Sequence, residues 1–335
     1  MLPAYFGGAI GAPRSKRPRT QENDSELVEF KPLGSGREVG RSCHILKLKG
    51  KTILLDCGLH PAYTGSAALP FLDEIEVNEI DLVLITHFHL DHIGALPYLL
   101  RNPEFKGEVY MTYATRAIYR LIMEDFLKAS AATAVTSAAQ GSASLADSLF
   151  SMKDVVETLA KVKCVNFHST VQSRGIRFRP YHAGHVLGAA MFYIEIGETR
   201  VLYTGDYSRA EDRHLVAAEV PDVRTDILVV EATHGGLVLP PRLQEERAFS
   251  RFIHNVVRRG GKCLIPQFAL GRIQELLLII EQYWELHPSL HDIPIYYASD
   301  LARRSMDVYR SFINVMNEYV TFVSFVMHLL YISIV

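Results

Sequence analysis

The sequence lacks a close pair of cysteines, an excess of charge of either sign, and an apolar run long enough to cross a membrane. Its four cysteines, Cys43, Cys57, Cys164 and Cys263, form no C-x-x-C pair and sit mostly in apolar, strand-like surroundings. That pattern suits reduced thiols in a core, so an intracellular compartment is expected. The formal net charge of -2 gives no overall positive field for nucleic acid, so any polyanion must meet metals or a local basic patch. The uncharged tail Val320 to Val335 falls short of the roughly 20 residues of a spanning helix and has no basic flank. No membrane partner is expected; a buried strand, a weak anchor and an aberrant terminus all fit the tail. Residues 2 to 12 are apolar, but no basic residue precedes them and Pro and Gly interrupt them, so secretion is not expected.

What is present is ordinary for a soluble globular protein: 335 residues, 48% hydrophobic and 21% charged, with room for two domains. Residues 1–25 read as a disordered basic arm, in which Pro13 to Arg19 is either a nuclear-import signal or a solvated basic tail. Residues 26–235 read as one sheet-rich domain. Its strands are expected at Phe30 to Leu33, Cys43 to Leu48, Thr52 to Leu55, Leu82 to Thr86, Glu108 to Thr112, Lys163 to Phe167, Ile176 to Tyr181, Met191 to Ile196, Arg200 to Thr204 and Asp226 to Val230. Helices are expected from Ile93 to Leu100 and from Thr115 to Lys128, followed by a low-complexity loop at 129–148. Residues 236–319 then alternate helix and strand. Helices 243–259, 271–287 and 301–319 separate strands 263–268 and 293–298, the rhythm of a parallel, doubly wound α/β unit.

The chemistry concentrates in Asp81 to Gly94, D-L-V-L-I-T-H-F-H-L-D-H-I-G. An apolar, β-branched strand delivers His87, His89, Asp91 and His92 into one turn before a helix. Imidazole and carboxylate are the donors that zinc and its neighbours accept, and this many in one short loop point to two adjacent metals. Further on, H-A-G-H places His185 in a glycine-lined turn, and L-Y-T-G-D ends a strand in Asp206, a carboxylate able to bridge two cations. Taken singly, His185 reads equally well as an ordinary polar residue, and Asp206 as a turn cap.

A strand ending in Asp56, then H-x-H-x-D-H, then G-H, then T-G-D, resembles the metallo-β-lactamase superfamily. The longer strings P-L-G-S-G-R-E-V-G-R-S-C (32–43), L-L-D-C-G (54–58), H-F-H-L-D-H-I-G-A-L-P (87–97), Y-H-A-G-H-V-L-G-A-A-M-F (181–192), L-Y-T-G-D-Y-S-R-A-E-D-R-H-L (202–215) and H-D-I-P-I-Y-Y-A-S (291–299) are similar to one branch of it. That branch is the β-CASP nucleases, specifically the endonuclease subunits of the cleavage and polyadenylation specificity factor. The resemblance runs from about residue 28 to 319.

The resemblance implies a four-layer α/β metallo-β-lactamase sandwich followed by a truncated β-CASP domain, with RNA threading between them. It implies a zinc-dependent endonuclease that hydrolyses pre-mRNA during 3′-end processing, in the nucleus, beside other subunits of the cleavage and polyadenylation complex. His87, His89 and His185 would hold one zinc, Asp91 and His92 the other, and Asp206 would bridge both; Asp56 would orient ligands or the bound water. Glu231 matches the first β-CASP motif, whose acid supports a catalytic histidine, although Ala232 and His234 stand where similar members carry serine and tyrosine. Arg258, Arg259, Lys262, Arg272, Arg303 and Arg304 are the candidate RNA phosphate contacts, each reading also as part of a solvated helix face.

The family's two later histidine motifs, giving a general acid and a last zinc ligand, would lie past residue 335. Their absence predicts an incomplete dinuclear site, an exposed apolar sheet edge, and a divergent end at 320–335. The alternative function is therefore a non-catalytic member that keeps only binding surfaces. A small-molecule hydrolase is disfavoured by the second α/β unit beginning at Glu231.

Overall fold

In the computed structural model, residues 27–139, 149–317 and 332–334 are described. The arm at 1–25, the low-complexity residues 140–148 and most of the apolar tail lie outside them. Two sheets dominate. The first has six strands, β1 (Glu29–Gly34), β2 (Cys43–Leu48), β3 (Lys51–Leu55), β4 (Leu82–Leu84), β5 (Glu108–Thr112) and β6 (Val162–Val165), paired in that order. Strands β3 to β6 run parallel, and the β1–β2–β3 meander is antiparallel. The second sheet holds β7 (Val171–Ser173), β8 (Ile176–His182), β9 (Ala190–Ile196), β10 (Thr199–Tyr203) and β11 (Ile227–Val229), with β11 at its edge.

Period-two alternation assigns each side chain to a layer. Leu46, Leu48, Ile53, Leu55, Leu82 and Leu84 of the first sheet meet Phe178, Phe192, Ile194 and Val201 of the second in a core between the sheets. The intervening residues Ile45, Leu54 and Val83 face outward. They pack with Leu96 and Leu99 of α2 (Leu96–Leu100), Tyr119 and Met123 of α3 (Tyr113–Ala139), and Val155 of α4 (Met152–Lys161). On the far side, Tyr181, Met191 and Tyr193 cluster with Leu278 of α6 (Arg272–Glu285) and with Met306 and Tyr309 of α7 (Asp300–Ser311). Helix, sheet, sheet, helix is a four-layer sandwich. Each fully buried Leu or Phe in it stabilises the fold by about 1.5–3 kcal/mol.

Several expectations are corrected. The first part of the expected loop at 129–148 is helical, since α3 continues to Ala139; its alanines are strong helix formers. The predicted buried strand at 263–268 is not formed: Leu264 is 92% exposed and Phe268 90%, no described strand pairs with it, and Pro266 lacks an N–H to donate. The last helix stops at Ser311 instead of 319, passing through Phe312 into a short 3-10 turn at Ile313–Val315. Helix α4, not anticipated, begins with a capping box between Ser151 and Asp154.

The second region alternates only in part, since no described strand separates its first two helices. After α5 (Arg242–Arg258) and α6 comes β12 (Ile295–Tyr297), which pairs in parallel with β13 (Ile332–Ile334). At least these three residues of the apolar tail therefore form a strand, with Ile332 buried. Among the described residues no helix is long and apolar enough to cross a membrane.

Candidate metal centre

Strands β3 and β4 run parallel and end side by side, and the turns that follow them build the centre. Asp56 leaves β3 with φ 60, a left-handed conformation costly for a residue with a Cβ. Its N–H still donates to the Leu84 carbonyl (3.0 Å). The turn carrying His89, Asp91 and His92, capped by α1 (Leu90–Ile93), is strapped down by backbone bonds: Ser42 N–H to Asp91 O (2.7 Å), Cys57 N–H to His92 O (2.7 Å) and Leu59 N–H to Leu90 O (2.9 Å). Gly58 makes this approach possible, because a Cβ there would stand 1.7 Å from the Asp91 carbonyl oxygen.

The Asp56 carboxylate is fully buried and accepts from four donors. These are the Thr86 N–H (2.8 Å), the Thr86 hydroxyl (2.9 Å), the Tyr203 hydroxyl (2.7 Å) and His92 Nδ1 (2.9 Å). Because the Thr86 proton goes to Asp56, His87 Nδ1 is the donor in its 3.0 Å contact with Thr86 Oγ1, and Nε2 keeps its lone pair. The same reasoning leaves His92 Nε2 as that ring's open nitrogen. It lies 3.4 Å from Asp206 Oδ1 and 3.8 Å from Asp91 Oδ2.

His87 Nε2 lies 2.9 Å from His89 Nδ1, which lies 3.2 Å from His185 Nε2, which in turn lies 3.6 Å from Asp206 Oδ2. One proton cannot bridge three nitrogens, whereas a cation can. Donors about 2.0–2.1 Å from a tetrahedral zinc stand about 3.4 Å apart, and these spacings bracket that value. The donor atoms of His87, His89, His185 and Asp206 all fall within 4.8 Å of one another. A metal fits this set. Asp91, His92 and the second Asp206 oxygen form an adjoining set, so all six residues singled out in the sequence converge.

Electrostatics favours the metal-binding form of three of the four histidines. Burial, reinforced by the neighbouring His92, His89 and His185, holds His87 well below its ordinary pKa. Burial likewise lowers His89 to about 3 and His185 to about 4, the latter helped by the charges of His92 and Arg272. His92 goes the other way: burial opposes its charge, but Asp56, Asp206 and Asp91 outweigh it and push it up to about 9. Burial raises Asp206, with His92 opposing.

A cavity of about 540 Å³ opens beside the centre, lined by Asp91, His92, Tyr203, Asp206 and Glu231 among others. Glu231 accepts the Thr233 N–H at 2.7 Å, and its charge adds to the upward push on Asp206. The six basic candidates do not act as one patch. Arg303 pairs with Asp300 and Arg304 with Glu124, while Arg258, Arg259 and Lys262 lie exposed at or just past the end of α5. Arg272 pairs with Asp212 at 2.8 Å, and the preceding Gly271 stands close to His89.

Sequence reasoning missed two features. Thr86 and Tyr203, which fix Asp56, gave no motif signal beyond lying in matched strands. A buried ionic network also went unnoticed, in which the carboxylates Asp212, Glu246 and Glu275 meet the guanidiniums Arg213, Arg242 and Arg272, with His214 on Glu275. It ties the loop after Asp206 to α5 and α6. The close spacing of Asp212 and His214 in the loop after Asp206 was the available clue. A third donor group is His168, His182 and Glu219, in which the Glu219 oxygens lie 2.8 and 3.0 Å from His168 Nε2 and one also accepts the His182 backbone N–H at 2.8 Å.

Comparison with known proteins agrees with this geometry. Residues 45–232 match the Metallo-beta-lactamase superfamily domain, and residues 273–332 the Beta-Casp domain. The chain is 50% identical over 296 residues to "Endoribonuclease YSH1" of Yarrowia lipolytica, covering 88% of this chain and 35% of that protein. It is 50% identical over 306 residues to "Cleavage and polyadenylation specificity factor subunit 3" of Dictyostelium discoideum, covering 90% and 38%. Against "Cleavage and polyadenylation specificity factor 73" of Drosophila melanogaster it is 50% identical over 300 residues, covering 90% and 42%. The chain thus spans well under half the length of these relatives.

Proposed function

The chain belongs to the metallo-beta-lactamase superfamily, and on that premise we propose that it is the nuclease portion of a zinc-dependent RNA endonuclease that hydrolyses pre-mRNA phosphodiesters during 3′-end processing. The observation that carries the reading is the convergence of His87, His89, His185 and Asp206 within 4.8 Å, beside a cavity that Asp91, Asp206 and Glu231 help to line. His87, His89 and His185 turn lone pairs inward, Asp206 offers one oxygen to each donor set, and Asp91 and His92 complete the second. Asp56 holds the Nδ1 proton of His92 and thereby aims Nε2. Glu231 is the acid placed to support proton transfer within the cavity. Bound there, two zinc ions would supply a water acidified toward neutrality and a clamp on the phosphate oxygens.

The names of the relatives support RNA as substrate, the nucleus as location, and other subunits of a cleavage and polyadenylation complex as partners. Arg258, Arg259, Lys262, Arg272, Arg303 and Arg304 are the cationic positions offered to the RNA backbone. We place the boundary between the metallo-β-lactamase domain and the β-CASP domain at 235/236. A second reading, a chain that binds without cutting, is favoured by one observation: among the described residues, the second donor set has only Asp91, His92 and Asp206.

Zinc content per chain, by elemental analysis at known concentration, tests both readings. Close to two zincs, lost in His87→Ala and Asp206→Asn together with cleavage of single-stranded RNA, supports the nuclease. One zinc or fewer with no cleavage supports the binding chain.

A further inference from the structure

His168, His182 and Glu219 bring their ligand atoms within 4.8 Å of one another, apart from the residues of the metal centre. His168 stands in the turn between β6 and β7, His182 is the last residue of β8, and Glu219 lies in the loop between β10 and β11. Three main-chain donors hold them in place: the His168 N–H bonds Pro180 O (2.8 Å), the Glu219 N–H bonds His182 O (3.0 Å), and the His182 N–H bonds Glu219 Oε2 (2.8 Å). The His182 ring is fixed as well, stacked on Phe167 with centroids 3.6 Å apart and 20° between the planes.

A His–Glu ion pair accounts for only part of this group. Glu219 Oε1 lies 2.8 Å from His168 Nε2, a distance one proton spans. The half-buried His182 ring is left over: among the described residues neither of its nitrogens makes a hydrogen bond, although one lies within 4.8 Å of both other donors. Two imidazoles and a carboxylate are the donor set of open zinc sites, in which water takes the fourth position. With Glu219 Oε2 held by the His182 N–H, Oε1 is the oxygen available to an ion.

We propose that His168, His182 and Glu219 bind a zinc ion of their own at the surface, with water completing its coordination. The ion replaces the proton between His168 Nε2 and Glu219, and that ring then carries its proton on Nδ1. With three protein ligands, and the His168 side chain 52% exposed, the site holds zinc more weakly than the buried centre and fills as free zinc rises. The Ala218 N–H, next to Glu219, bonds Ser208 O (2.7 Å), and the Ser208 N–H bonds Ala183 O (2.9 Å). An ion here therefore clamps the loop after Asp206 to the turn that carries His185. The site stands whether or not the centre cuts RNA.

The test is a titration of the full chain with zinc chloride against a chromophoric chelator, in the parent and in a His87→Ala, Asp206→Asn background that disables the centre. One zinc should bind in that background, and His168→Gln or Glu219→Gln should weaken it at least about ten-fold. Added zinc should raise the melting temperature of the background, and cease to do so once His168→Gln is introduced. Zinc binding undiminished by His168→Gln, or no zinc bound in the folded background, overturns the site. Should that background fail to fold, the parent decides alone: at saturating zinc the His168→Gln chain must hold one zinc fewer, and an equal count overturns the site.

Discussion

His92 Nδ1 stands 2.9 Å from the carboxylate of Asp56, and the two side chains are 4% and 0% exposed. A carboxylate buried this deeply is tolerable because four donors surround it. Its function is to set which nitrogen of His92 is open. Asp56→Asn, similar in size and uncharged, is therefore expected to lower zinc affinity about 10- to 100-fold. Competition with a chelator measures this; affinity equal to the parent's would remove Asp56 from the account.

Gly58→Ala tests the close approach instead of the charge. With 1.7 Å between the new Cβ and the Asp91 carbonyl oxygen, the turn carrying Asp91 and His92 must move. Zinc stoichiometry should fall while the far-UV circular dichroism stays that of the parent. A variant that keeps the parent's zinc content shows that the strap at Ser42, Cys57 and Leu59 can flex.

The buried ionic network makes a prediction about acid. For Glu275, burial raises the pKa, but His214, the Arg213 guanidinium and the Arg213 N–H outweigh it and lower the carboxyl to about 2. A depressed carboxyl stabilises the fold above its unfolded pKa, near 4.3, and that contribution fades as pH falls toward the folded value. Melting temperature should decline from about pH 4.5 downward, and Glu275→Gln should flatten that limb. At neutral pH the same variant should cost about 1–3 kcal/mol, because Arg213, Arg242 and His214 lose a charged acceptor while Glu246 and Asp212 still pair both guanidiniums. Thermal melts across pH read the first and chemical denaturation the second, and an unchanged acid limb would contradict the assignment.

The edge strand β11 supplies the fourth prediction. Leu228 is 57% exposed on it and nearby Val230 47%, with unpaired backbone groups alongside. Leu228→Lys should reduce self-association, seen by light scattering across a concentration series, at little cost in stability. Association that persists unchanged would locate it elsewhere.

The centre was legible in the sequence because four of its side chains crowd into six positions behind an apolar strand, a density that surface histidines seldom reach. His185 and Asp206 were legible through the order of their motifs. Thr86 and Tyr203 were not: a threonine and a tyrosine at strand ends carry chemistry only once two sheets bring them to the same carboxylate. The sheet strands read well where alternation was strict, as in β2 and β9. Cys263 to Phe268 read as a strand because its residues favour one, but a strand needs a neighbour, and none of the described residues supplies it. The alanine-rich segment after Lys128 erred the other way. It has no apolar stripe to reveal a helix, yet its intrinsic propensity carries α3 to Ala139.

The donors come from both sheets, with His87 and His92 following β4 of the first, and His185 and Asp206 supplied by turns of the second. Their spacing along the chain is wide, so loop closure must precede site formation, and contacts this distant in sequence form late and slowly. Metal capture is therefore a clock for folding: the rate at which zinc is taken up during refolding should report the docking of one sheet on the other.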